Sequence, residues 1–173
     1  MAEENKLIIR FPSETDKNAW LDFVKDARKF YSDATPLGFK SEEYYREWLN
    51  RLINLNIGTT LKEGEVPQST FFMFEKDRIV GYLTIKRKII NGNPIGQMYL
   101  NIRPSDRKKG YGTKLLSAAL NKCREIQLRQ ALISCPEESP GGIKVIEKAG
   151  GRLIETKFLN GTEIKMRIYL IDL

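Results

Sequence analysis

Between Met98 and Thr113 the chain changes character abruptly. The apolar run Met98-Tyr99-Leu100-Asn101-Ile102 gives way to the basic stretch Arg107-Lys108-Lys109-Gly110-Tyr111-Gly112-Thr113, and a helical pattern begins at Lys114. This reads as a strand ending in a short glycine-bearing loop that feeds a helix N-terminus. The first turn of a helix carries amide groups without intrahelical partners, and its dipole is positive at that end. Glycines let a ligand approach the backbone closely, so the stretch predicts an anion cradle, most naturally for a phosphate.

The 173 residues suffice for one domain with a substantial core, and residues 1–173 read as a single domain. The N-terminus is polar, unlike a secretory leader, and no stretch approaches the roughly 20 apolar residues that a membrane span needs. Cys123 and Cys135 lack metal-site spacing and read as thiols in a reducing cytoplasm. With 29 basic and 22 acidic residues the net charge is +7, which favours anionic ligands but is also an ordinary surface surplus. The chain has no histidine, which excludes histidine triads, histidine metal sites and imidazole bases. No metal is expected. Basic residues are scattered through both halves without a nucleic-acid-binding motif, so no nucleic acid is expected as a partner either.

Leu7-Ile8-Ile9-Arg10-Phe11 predicts a short strand closed by Pro12, and Ser13 with Asp16 forms a capping-box pattern. Trp20, Phe23, Ala27, Phe30 and Tyr31 recur at helical spacing over residues 16–32. A second helix, capped by Ser41 and stopped by Gly58, presents Tyr45, Trp48, Leu49, Leu52 and Ile53 on one side. Core packing explains these aromatics more simply than a substrate pocket does. The polar loop Thr59–Ser69 is the segment expected to be flexible near a site.

Strands are predicted at Thr70–Glu75, Arg78–Ile89 and Ile95–Arg103, joined by turns at Lys76-Asp77 and Asn91-Gly92-Asn93-Pro94. The nearly continuous apolar character of Tyr99–Ile102 predicts burial on both faces. A helix then runs to about residue 128, with Leu115, Leu116, Ala119, Leu120 and Cys123 inward. Ala131–Cys135 is a short strand ending at Pro136. Pro140 opens a helix with Ile143, Ile146 and Ala149 inward, and Gly150-Gly151 ends it. A hairpin around Asn160-Gly161 puts Ile164, Met166, Ile168 and Leu170 on one face and Lys165, Arg167 and Tyr169 on the other.

The glycine stretch fits neither of two well-known phosphate motifs. Leu115 stands where a dinucleotide fingerprint needs its third glycine, and Gly112-Thr113-Lys114 has the wrong order for a Walker loop. Arg107-Lys108-Lys109-Gly110-Tyr111-Gly112 instead resembles the Arg/Gln-x-x-Gly-x-Gly/Ala signature of the GNAT N-acetyltransferases. Leu100-Asn101-Ile102-Arg103-Pro104 is similar to that superfamily's central strand, and Lys144–Gly151 to its late helix ending in Glu-Lys-x-Gly. The element order β-α-α-β-β-β-α-β-α-β-β is also that of the fold. The fold class is therefore α/β (α+β), with a GNAT-like mixed, largely antiparallel central sheet flanked by helices.

The resemblance implies acetyl-CoA as cosubstrate and transfer of its acetyl group, by direct attack, to a primary amine of a small molecule or peptide. It implies a CoA site made by Ile102, Arg107, Lys108, Lys109, Gly110, Tyr111, Gly112 and Thr113. The amides from Lys108 to Thr113 would take the pyrophosphate, and the backbone of Ile102 the pantetheine arm. Ser139 matches a polar position near the cofactor, although Ser139-Pro140 equally reads as a helix cap and first helical residue. A homodimer is possible.

Two departures bear on catalysis. Many relatives carry a glutamate base on the central strand, but no Asp or Glu occurs here between Asp77 and Asp106. Many place a tyrosine in the late helix to protonate the thiolate, where this chain has Ile146. A base from the Glu63/Glu65 loop, solvent-mediated proton transfer, and a domain that binds acyl-CoA without turnover all remain open. Core packing is the simpler reading of Tyr99 and Cys135. No catalytic side chain is assigned.

Overall fold

The computed structural model describes residues 7–90 and 92–173. Its main elements follow the predicted order: β1 (Leu7–Arg10), α1 (Lys17–Phe30), α2 (Tyr45–Ile57), β2 (Gln68–Glu75), β3 (Arg78–Ile90), β4 (Asn93–Ile102), α3 (Tyr111–Glu125), β5 (Gln130–Pro136), α4 (Pro140–Lys148), β6 (Arg152–Phe158) and β7 (Lys165–Asp172). The strands form one seven-stranded sheet in the order β1-β2-β3-β4-β5-β7-β6. All pairs are antiparallel except β4–β5.

The helices divide the core between the two faces of the sheet. Trp20 of α1 is fully buried and stacks on Phe23, Trp48 and Phe72 at 5.2, 4.9 and 4.9 Å between ring centroids. The aromatic periodicity of the first two helices thus serves packing, with two exceptions. Phe30 and Tyr31 are 57% and 53% exposed, because α1 ends at Phe30 and Tyr31 adopts an extended conformation. On the other face Leu115, Leu116, Ala119 and Cys123 of α3 pack with Leu83, Ile85, Met98 and Ile133 of the sheet. Helix α2 stops at Gly58, whose φ of +86° is readily reached without a Cβ.

Turns fall where the sequence places them. Lys76 takes the left-handed conformation between β2 and β3, and Gly161 does so between β6 and β7. Gly92 is also left-handed at the β3–β4 reversal, while Asn91 of that predicted turn lies outside the described residues.

Tyr99–Ile102 does not meet the expectation of burial on both faces. Pairing between β4 and β5 covers only Ile95–Met98 against Gln130–Ile133. Beyond Met98, β4 pairs with β3 alone, while Ser134–Pro136 of β5 pair with β7 alone. The two parallel strands therefore part, and Tyr99 is 44% exposed. Helices α1 and α2 cover β3 and β2, so the same face of β4 is left open. The hairpin alternates as predicted, and the side carrying Tyr169 and Ile171 is the buried one. The side with Ile164, Met166, Ile168 and Leu170 is half-buried to exposed.

Candidate active site

The parting of β4 and β5 is bordered by a loop that the surrounding side chains hold in place. Arg103, at the end of β4, is buried, and its Nη2 donates to the Asp22 carboxylate at 2.6 Å and to the Asp22 carbonyl at 3.1 Å. Its Nε lies 3.6 Å from Asp26, whose carboxylate also accepts the Ser105 N–H at 3.1 Å. The exit of β4 is thereby tied to α1. The buried Asp106 carboxylate next to it meets Arg78 at 2.9 Å and Lys109 at 2.8 Å. Burial alone would raise its pKa, but the hydrogen bonds and charges of Lys109 and Arg78 outweigh that and lower it.

After Asp106 the backbone forms a cradle. Lys108 and Gly110 have φ values of +65° and +82°, and α3 starts at Tyr111, earlier than the predicted Lys114. Tyr111, Gly112 and Thr113 are therefore first-turn residues. The Lys114 N–H bonds back to Gly110 O at 3.3 Å, but the amides from Lys108 to Thr113 find no acceptor among the described residues. A Cβ at Gly110 would meet nothing within 4 Å, and one at Gly112 would meet only Val145 Cγ2, at 3.9 Å. The space over these amides is open, which suits a pyrophosphate at a helix N-terminus.

The side chains of this stretch mostly look elsewhere. Lys109 is committed to Asp106. Tyr111 is buried and donates to Glu75 at 2.6 Å, and that hydrogen bond, followed by burial, pushes its hydroxyl up to about 12. Arg107 Nη1 donates to Tyr31 Oη at 2.8 Å, and its guanidinium lies 5.5 Å from the centroid of the same ring. An anion in this cradle would therefore meet mainly backbone groups.

Ser139 N-caps α4 through its carbonyl, which accepts from Ile143 N–H at 3.0 Å, while its hydroxyl makes no capping bond. Ile146 is buried in the core. Cys135 is buried too, and burial raises its thiol pKa, which disfavours a thiolate nucleophile. Two carboxylates that could serve as bases are held by cations. Arg51 grips Glu65 through both carboxylate oxygens, and Lys62 N–H donates to it at 2.7 Å. These hydrogen bonds lower the Glu65 pKa. Glu137, just past β5, is 3.0 Å from Lys165 and 3.2 Å from Arg167, and those hydrogen bonds lower its pKa as well.

The sequence reading missed the opposite bank of the site. On the uncovered face of β4, Asn101 Nδ2 donates to Tyr82 Oη at 3.3 Å, and Tyr99 sits beneath Lys86, whose Nζ is 5.0 Å from the ring centroid. Tyr99 is thus a surface residue of the site, contrary to the core-packing expectation. The available signal was alternation, since Tyr99 and Asn101 share one face of the strand, opposite Met98, Leu100 and Ile102. Among the described residues, no cluster of His, Cys, Asp or Glu could hold a metal ion, and no helix is long and apolar enough to cross a membrane.

Comparison with known proteins agrees with this architecture. Residues 6–152 match the family model described as the acetyltransferase (GNAT) domain. The chain belongs to the GNAT acetyltransferase family, a class of acyltransferases. Among solved structures, it is similar to a Salmonella typhimurium acetyltransferase that modifies the N-terminal serine of the 50S ribosomal subunit protein L7/L12. The two are 16% identical with a TM-score of 0.74, over 98% of this chain and 96% of that one. RimL, a ribosomal L7/L12 alpha-N-protein acetyltransferase in complex with coenzyme A, matches at 17% identity and TM-score 0.77, with 98% and 96% of the two chains covered. The putative acetyltransferase yncA of Salmonella typhimurium, with its cofactor acetyl-CoA, matches at 14% identity and TM-score 0.68, covering 97% and 94%. No curated protein matches the chain.

Proposed function

We propose that the protein is an N-acetyltransferase that moves the acetyl group of acetyl-CoA to a primary amine of a small molecule or peptide, acting as a single domain in the cytoplasm. The observation that carries this reading is the coincidence of two sets of open backbone groups. The β4 edge at Tyr99–Ile102 has no partner on the β5 side, and the amides of Lys108–Thr113 have no acceptor among the described residues. CoA- and acetyl-CoA-bound neighbours of the same fold support it.

Acetyl-CoA supplies an activated thioester. The amides of Lys108–Thr113 hold its pyrophosphate, helped by the α3 dipole. The β4 edge orients the pantetheine arm, and the backbone at Ile102 offers hydrogen bonds near the thioester carbonyl. Ser139, with a hydroxyl free of capping duty, is the polar side chain beyond β5. The amine must arrive neutral, which happens most readily in solvent, since Glu65 and Glu137 are both committed to cations.

The paired carboxylates and buried Ile146 also favour a second reading, in which the same cleft binds acyl-CoA without turnover. CoA release in a broad primary-amine screen separates the two. Acetyl-CoA-dependent thiol release with at least one amine is expected. CoA binding with no release for any amine would establish the non-catalytic reading.

A further inference from the structure

A cavity of about 250 Å³ opens beside the unpaired end of β4, between α1, the segment after it, and β3. Tyr31, Leu37, Tyr82, Asn101 and Arg107 line it, and among the described residues no Asp or Glu does. Arg107 is its one charged wall, and it makes no ion pair among the described residues, whereas Arg10, Arg51, Arg78, Arg103 and Arg167 all do. Its guanidinium is steadied by the hydroxyl and ring of Tyr31 instead. Burial raises the pKa of the Tyr82 hydroxyl, so it keeps its proton. The cavity therefore offers hydrogen-bond donors from Arg107, Asn101 and Tyr82 to neutral oxygen acceptors, in a volume below the roughly 300–1,000 Å³ of pockets for drug-sized ligands.

The kind of amine that such a site can use follows from proton affinity. With no carboxylate in the cavity, the acceptor must lose its proton largely on its own. A peptide α-amine has a pKa of about 7.7–8.0 and a lysine-like amine about 10.4. At pH 7.5 roughly a third of the former is neutral, against about one molecule in a thousand of the latter. The neighbouring guanidinium also repels an acceptor that arrives charged, and a polyamine brings several charges.

We propose that this cavity seats the first residue of a peptide, so that the protein acetylates N-terminal α-amines in preference to lysine side chains or polyamines. Arg107 and Asn101 donate to main-chain carbonyl oxygens of the peptide, and Tyr31 orients Arg107. The neutral nitrogen attacks the acetyl carbon, the C–N bond forms as the C–S bond breaks, and one proton passes from nitrogen to the departing sulfur. This inference rests on the acetyltransferase reading above.

The test compares three acceptors at pH 7.5 with saturating acetyl-CoA: a lysine-free tetrapeptide with an open N-terminus, an Nα-blocked lysine peptide, and spermidine. Calorimetry of the open tetrapeptide with the protein–CoA complex gives a readout independent of turnover. The open peptide should exceed the others at least about 30-fold in kcat/KM, given the neutral-fraction difference. Asn101→Ala and Arg107→Gln should each weaken tetrapeptide binding about tenfold, and Tyr31→Phe less, as expected for lost hydrogen-bond donors. Equal or better turnover of lysine or spermidine would overturn the proposal. So would an Arg107→Gln variant that weakens CoA and leaves peptide binding unchanged, since the guanidinium would then serve a cofactor phosphate. If CoA bound but none of the three were acetylated, this proposal would fall, and the broad amine screen would decide whether the acetyltransferase reading falls with it.

Discussion

Asp106 shows how a single buried charge holds the loop that leads into α3. Its carboxylate, 1% exposed, joins Arg78 of β3 to Lys109 of the cradle and faces Arg103 at 3.9 Å. Its pKa is lower folded than the roughly 3.9 expected unfolded, so its contribution is present above about pH 4 and is lost as pH falls through the folded value. Asp106→Asn should therefore cost about 1–3 kcal/mol at pH 7, and the gap to wild type should be smaller at pH 3. Urea unfolding at the two pH values measures this, and a gap that stayed constant would contradict it. Neither the Arg78 partner of Asp106 nor the Arg107 partner of Tyr31 could be read from the sequence. Each lies far along the chain and meets its partner only through the fold.

At the scale of elements, the periodic segments were legible. Helices α1–α4 and the antiparallel strands carry their own signals in Trp20/Phe23/Ala27, Leu115/Leu116/Ala119 and the turn residues Lys76-Asp77 and Asn160-Gly161. The parting of β4 from β5 carries none, because Tyr99–Ile102 is apolar enough for a buried strand and only its missing partner reveals the opening. Likewise, the glycine stretch marked the cradle, but the commitments of Arg107 and Tyr111 to Tyr31 and Glu75 had no local signal. The cradle makes a separable prediction about stability and binding. Gly112→Leu places a side chain in open space within a helix, where leucine exceeds glycine in helix propensity by close to 1 kcal/mol. The variant should melt no lower than wild type and yet lose CoA affinity at least about tenfold, through blocked backbone approach. Intact affinity in a folded variant would show that the phosphates bind elsewhere.

For the whole molecule, the sheet is a scaffold that opens along one seam, between β4 and β5. The α1–α2 side and the α3–α4 side each have their own core, built around Trp20 and around Leu115. The cradle lies at the start of α3, while Tyr31 and Asn101 reach the seam from the other side. The net charge of +7 suits a polyphosphate cosubstrate without defining its site, because many basic residues are already in ion pairs. On the proposed reading, acetyl-CoA occupies the seam and the cradle together. Amide hydrogen exchange with and without saturating CoA tests it most directly. Exchange should slow at Tyr99–Ile102 and Lys108–Thr113, with β6 unchanged. CoA binding that left those two segments exchanging as in the free protein would contradict it.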